Sequence, residues 1–174
     1  MRINAMQIKP VILSIAVSSI LGTSSSVSAS NSGAYIGGGI NYLELDVGDS
    51  VNFSVTTGYK LHQWKFESIN IQALTLAIEA QYSDSISATD DVNHYSLFAA
   101  LRADISEQWY LKIKQGVTNF PDVTLRDSSA EKSHVGVGIG LGYRINSGSI
   151  EVEYIYPNKT IHVFILEVSY KYHF

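Results

Sequence analysis

The chain of 174 residues has no cysteine. Disulfides therefore play no part in holding its fold together. It also lacks a continuous apolar run of the length a membrane helix needs, about 20 residues. Residues 11–21 come nearest, and serines interrupt them. Basic residues are few, 12 against 16 acidic ones, and no basic stripe points to nucleic acid. The five histidines, at positions 62, 94, 134, 162 and 173, show no paired spacing for a metal. The glycine-rich stretch 136–142 lacks the spacing of a phosphate-cradling loop and opens no helix, so it reads as small residues along a strand. No cofactor is expected.

The N-terminal stretch has a form of its own. Arg2 and Lys9 are its only charges ahead of the run 11–21, and a Ser/Thr-rich stretch follows, ending Val27-Ser28-Ala29. A basic start, a short apolar run and small residues before a cut are the form of a secretory signal peptide. Residues 1–29 are expected to be removed, which leaves 30–174 as a single domain. Losing two bases leaves 10 basic against 16 acidic residues, so the formal charge goes from −4 to −6. A membrane-anchoring helix is the competing reading; the run is too short and too rich in Ser and Thr for it. Without a helical span, the remaining chain can enter a membrane only as the strands of a closed barrel.

What the remaining chain does have is alternation. Along 164–174, Phe164, Leu166, Val168, Tyr170, Tyr172 and Phe174 fall on one face, with Glu167, Ser169, Lys171 and His173 between them. Such a period of two is the signature of a strand with two unlike faces. The same pattern recurs over 34–42, 51–61, 74–82, 94–104, 109–118, 134–145 and 149–156, which predicts eight strands of about ten residues. Gln115 dissents from the apolar face of the fifth strand, and Phe98 from the polar face of the fourth. The link 62–73 is awkward, because Ile69, Ile71 and Ala73 fall on odd positions and the next strand's apolar face on even ones. Either a bulge sits near Gln72, or a longer turn packs Trp64, Phe66 and Ile69 against the barrel end; the turn is the preferred reading.

Alternation does not say which face points inward. A soluble lipocalin-like barrel hides its apolar face, and a membrane barrel exposes it. Three features favour the membrane form. The apolar faces are broad, and the opposite faces are rich in Gly, Ser, Thr and Asn. Aromatic residues sit near strand ends, at Tyr42, Tyr59, Tyr82, Tyr95, Trp109, Tyr143, Tyr156 and Tyr172, where a membrane–water boundary would place them. Links after the third and fifth strands are long, and those after the fourth and sixth are short. The expected fold is an all-β, eight-stranded antiparallel transmembrane barrel.

The eight-strand count, Ala-Tyr-Ile-Gly-Gly-Gly at 34–39, Leu-Ala-Ile-Glu-Ala-Gln-Tyr at 76–82, Val-Gly-Val-Gly-Ile-Gly-Leu-Gly-Tyr-Arg at 135–144 and the Tyr-Lys-Tyr-His-Phe ending carry a likeness. On them the chain resembles the small outer-membrane β-barrel family of the OmpA-barrel and OmpX type. The resemblance covers all of 30–174 and speaks to architecture more than to activity. It implies a Gram-negative outer membrane, periplasmic termini, contact with outer-membrane lipids and a C-terminal aromatic read by the barrel-assembly machinery. Tyr172 and Phe174 match that terminal signal. The link 62–73 departs from the family's short turn.

Under the membrane assignment Lys60, Glu79, Arg102, Lys112, Lys114, Arg144, Glu151, Glu153, Glu167 and Lys171 point inward. Eight strands leave a lumen that side chains can fill, and isolated charges there are costly, so these should pair. The expected interior is a polar plug, and the chain is read as a structural, non-enzymatic barrel and a monomer. Recognition or adhesion of an extracellular ligand would fall to the loops at 83–93 and 119–133. A narrow or gated small-solute porin is the alternative. A lipid A-modifying enzyme comes third, on His94 and Ser96, which share a strand face as a His/Ser hydrolase requires but have no acidic partner at strand spacing. Ile161, Val163 and Ile165 are apolar on the nominally inward side. Either they rise above the membrane or they pack against Phe98.

Overall fold

A computed structural model describes residues 33–45, 48–66, 71–86, 92–121, 133–158 and 163–174. The expected signal peptide, with its cut after Ala29, lies outside the described residues, as do Ile69 and Ile161. Eight strands form: β1 (Ala34–Leu45), β2 (Gly48–Lys65), β3 (Ala73–Ser85), β4 (His94–Asp104), β5 (Trp109–Asn119), β6 (Ser133–Ile145), β7 (Gly148–Asn158) and β8 (Val163–His173). Each pairs antiparallel with the next, and β1 pairs with β8 to close the barrel. Closure gives every strand a neighbour on both sides, which is what lets strands sit in hydrocarbon.

The faces settle the orientation. Leu97, Ile113, Val135 and Ile139 are 58–62% exposed, while Glu79, Lys112 and Lys171 are 1–2% exposed. A soluble barrel would show the reverse, because so continuous an exposed apolar band exceeds what water tolerates. The polar faces close on each other in the lumen.

One end of the barrel carries the start of β1, the end of β8 and the links 66–72, 105–108 and 146–147; we call it the terminal end. The other, the loop end, carries 46–47, 86–93, 120–132 and 159–162. Ser83–Ser85, Asn119 and Ser133 belong to strands, so both predicted recognition loops are shorter than 83–93 and 119–133. Rings collect at both ends. Trp109 and Tyr143 are cross-strand neighbours at the terminal end, with ring centroids 4.8 Å apart. Tyr172 and Phe174 meet edge-on at 5.3 Å at the same end. Tyr42, Tyr154 and Phe164 meet near the loop end, and Tyr82 pairs with Tyr95 there.

The link 62–73 differs from the preferred reading. β2 runs on to Lys65, so the link narrows to 66–72, and a bulge lies at Leu61 rather than near Gln72, between Lys60 opposite Ala77 and His62 opposite Leu76. The extra residue shifts parity, so odd positions face lipid before it and even positions after it. Trp64 is thereby exposed opposite Leu74 and does not fold over the barrel end. A second irregularity, between Ile155 and Asn158, takes up Pro157, which would be a poor ladder residue in a regular central strand. At the link 146–147, Asn146 has φ 53°, the left-handed value that a two-residue hairpin demands and that Asn tolerates.

Val163 and Ile165 turn inward and are 1% exposed. They join Leu43, Val92, Phe98, Phe120 and Ile155 in a buried apolar cluster at the loop end. Of the two readings of this part of β8, contact with the Phe98 layer is the one that forms.

Candidate functional site

The interior charges come from β3, β4, β5, β7 and β8, which point long side chains across the lumen. Lys112 is the hub. Its Nζ lies 2.6 Å from Glu79, 3.0 Å from Glu151 and 2.9 Å from Glu153. Lys171 reaches the same three carboxylates at 3.1, 2.6 and 3.3 Å. Lys114 pairs with Glu153 at 2.6 Å, and Arg102 with Glu151 at 3.5 Å. The ammonium groups of Lys112 and Lys171 thus share three carboxylates, so none of these five ions depends on one partner. That sharing offsets the cost of taking each charge out of water.

Two tyrosines complete the centre. Tyr35 donates to Glu79 at 2.6 Å, and Tyr110 donates to Glu151. Arg102 lies over the Tyr110 ring at 4.3 Å, a cation–π contact between two buried groups. Each ring lies over a glycine directly across the sheet, Tyr35 over Gly58 and Tyr110 over Gly142. A Cβ at either glycine would run into the ring. Alternation along 34–42 puts Tyr35 on the polar face without giving it a role, and Tyr110 has no place among the interior residues expected from sequence. The usable signal was the glycine opposite each.

Three of the ten predicted charges lie apart from this centre. Arg144 is at the terminal rim, partly exposed, and pairs with Asp104, an acid that was not counted. It also donates to the Glu107 carbonyl at 3.1 Å, which ties down the turn 105–108. Lys60 is half-buried near Arg102, Arg144 and Asp104. Glu167 is fully buried and accepts from Ser54 at 3.1 Å and from Gln81. With Asp104 included, the six inward bases face five inward acids, nearly a balance.

His94 and Ser96 point inward at the loop end and are not joined. Ser96 bonds Thr118 at 2.9 Å. The His94 ring sits 5.4 Å from that of Phe120, and neither of its nitrogens has a hydrogen-bond partner. Among the described residues no group of three or more His, Cys, Asp or Glu is arranged to hold a metal.

The predicted aromatics face outward, with Tyr59, Tyr95 and Trp109 well exposed and Tyr42, Tyr82, Tyr143 and Tyr156 partly so. Tyr42 also donates to Asp49 at 2.5 Å. Tyr172 and Phe174 stand at the β1–β8 seam, where the Phe174 amide donates to the Ala34 carbonyl at 3.1 Å.

Solved structures share this architecture. The outer membrane enzyme PagL superposes with a TM-score of 0.60 at 14% identity, covering 79% of this chain and 99% of its own. Ail, the attachment invasion locus protein of Yersinia pestis, solved with the heparin analogue sucrose octasulfate, gives 0.53 at 17%, covering 82% and 97%. Neisserial surface protein A gives 0.52 at 18%, with the same coverage. At these identities the likeness concerns the fold. No curated protein matches the sequence. The model of the outer membrane protein β-barrel domain matches residues 13–174, and the chain belongs to that family of outer-membrane barrels.

Proposed function

We propose that this protein is a closed, non-catalytic outer-membrane barrel whose work is structural and whose loop end is available for recognition. The observation that carries this reading is the Lys112–Lys171–Glu79–Glu151–Glu153 centre, in which every side chain is at most 2% exposed. Such a centre fills the lumen at mid-barrel, and the apolar layer around Phe98 fills it again nearer the loops. A small-solute porin would need a continuous wet path past both. The expected result for the folded protein in planar bilayers is no steady conductance; a stable open level would overturn the plug and install the porin.

The remaining parts follow the same reading. Residues 1–29 are the export signal, and intact mass of the protein extracted from outer membranes would place the cut after Ala29. Tyr172 and Phe174 serve the assembly machinery, and the terminal end faces the periplasm. The loops around 86–93 and 120–132 then face outside. Over the wider stretches first expected as loops, 83–93 and 119–133, Asp84, Asp90, Asp91, Asp122, Asp127 and Glu131 outnumber Arg126 and Lys132. This acidic surface suits a cationic partner better than a sulfated polyanion such as the one bound to Ail. Binding of whole cells to cationic and to heparin-coated surfaces, with and without the gene, separates the two.

A further inference from the structure

Glu167 is the buried carboxylate that the ion-pair centre leaves out. Glu79, Glu151 and Glu153 each touch at least two bases. Glu167, 1% exposed, has none within ion-pair distance among the described residues; it is held by the Ser54 hydroxyl and the Gln81 amide. Lys114 and Lys171 are nearby cations that stand beyond ion-pair distance and pair with the centre's carboxylates. Gln81 spends its NH2 on Glu167, and its Oε1 has no partner. Asn41, directly across the sheet from Glu167, donates its Nδ2 to Ser83 at 2.9 Å, and its Oδ1 has no partner. Ser169, two residues along the same face of β8, has an unpartnered Oγ. Asn41, Gln81 and Ser169 are all at least 96% buried.

Amide oxygens and an ionised carboxylate only accept. A patch that gathers one negative charge and several idle acceptors calls for a ligand that is positive, small and accepting of oxygen. An anion would meet repulsion, and an apolar group would leave every acceptor bare. A divalent ion of the calcium type is bound through several carboxylates, whose charge sets its affinity, and this patch has one. Gly39, flanked in the sheet by Ser54 and Ser169, keeps this wall lined by small side chains.

We propose that the lumen holds a site for a dehydrated monovalent metal cation of about sodium size, bound by Glu167 and by the side-chain oxygens of Asn41, Gln81 and Ser169. The site lies beside the ion-pair centre and holds whether or not the barrel conducts, so a conductance measurement and the following test fail separately.

The test uses the folded full-length mature protein in detergent. Its thermal unfolding midpoint is compared in sodium chloride and in N-methylglucamine chloride of equal ionic strength. Sodium is expected to raise the midpoint by roughly 3–8 °C, as a ligand that binds only the folded state does. Glu167→Gln keeps the shape, with its oxygen accepting from Gln81 and its NH2 donating to the Ser54 oxygen in place of the reverse, and is expected to lose that difference. Equal midpoints in the two salts, or a sodium effect that survives in Glu167→Gln, would overturn the proposal. If Glu167→Gln does not fold, wild-type crystals grown in sodium chloride decide. A peak beside the Glu167 carboxylate held by the side-chain oxygens at distances well short of a hydrogen bond supports the site, and a water at ordinary hydrogen-bond distances in that place sinks it.

Discussion

The lumen is held by charge from the terminal end to mid-barrel and by hydrocarbon toward the loop end. In the first region chemistry is fixed as well as volume: Lys112 and Lys171 answer the same three carboxylates, a task no apolar side chain can take. In the second, Leu43, Phe98, Ile155, Val163 and Ile165 need only volume and fit. The difference shows how a narrow barrel can be filled without a soluble core. Charge specifies which strands face each other across the lumen, and apolar side chains fill the remaining space.

Breaking the charged region should therefore cost most. Lys112→Met leaves three buried carboxylates with one cation fewer and should destabilise the barrel by about 3–5 kcal/mol, read from urea unfolding in lipid vesicles. Ile165→Ala opens a cavity in the apolar layer and should cost about 3 kcal/mol without creating conductance. Equal costs, or an Ile165→Ala barrel that conducts while Lys112→Met stays closed, would reverse the ranking of the two regions. Gly58→Ala sharpens the comparison from the side, because its methyl meets the Tyr35 ring; about 2 kcal/mol is expected, and less in a Tyr35→Leu background, which has no ring to meet. Asp104→Asn removes the partner of Arg144, whose guanidinium is partly exposed at the rim while the carboxylate is buried, and should cost about 1 kcal/mol. Salt at high concentration should reduce that cost without abolishing it, because a partly buried pair is screened less than an exposed one.

Much of this was legible in the sequence, because a period of two is insensitive to its surroundings. The bounds of β4 come directly from it, and so does the inward set Glu79, Lys112, Glu151, Glu153 and Lys171. What it hides is whatever breaks the period. The bulge at Leu61 makes β2 look finished where the ladder continues. Tyr110 was missed because a tyrosine on a polar face reads as noise until its partner Gly142 is seen across the sheet. Asp104 was missed because a strand's last residue looks like the start of a turn. The apolar layer could not be assigned because alternation names a face and says nothing of what fills the far end of the lumen.

The bulge also bears on how the chain can change length. Remove one residue from a regular strand and every side chain beyond it moves to the wrong side of the wall. Remove Leu61 and nothing moves: His62 takes the next outward place after Lys60, and the pairing with Leu76 and Leu74 continues unbroken. A deletion there should fold, insert and migrate like the parent. Leu61 is thus a spare residue, a position where the chain can be shortened by one while the two faces of the barrel keep their identity.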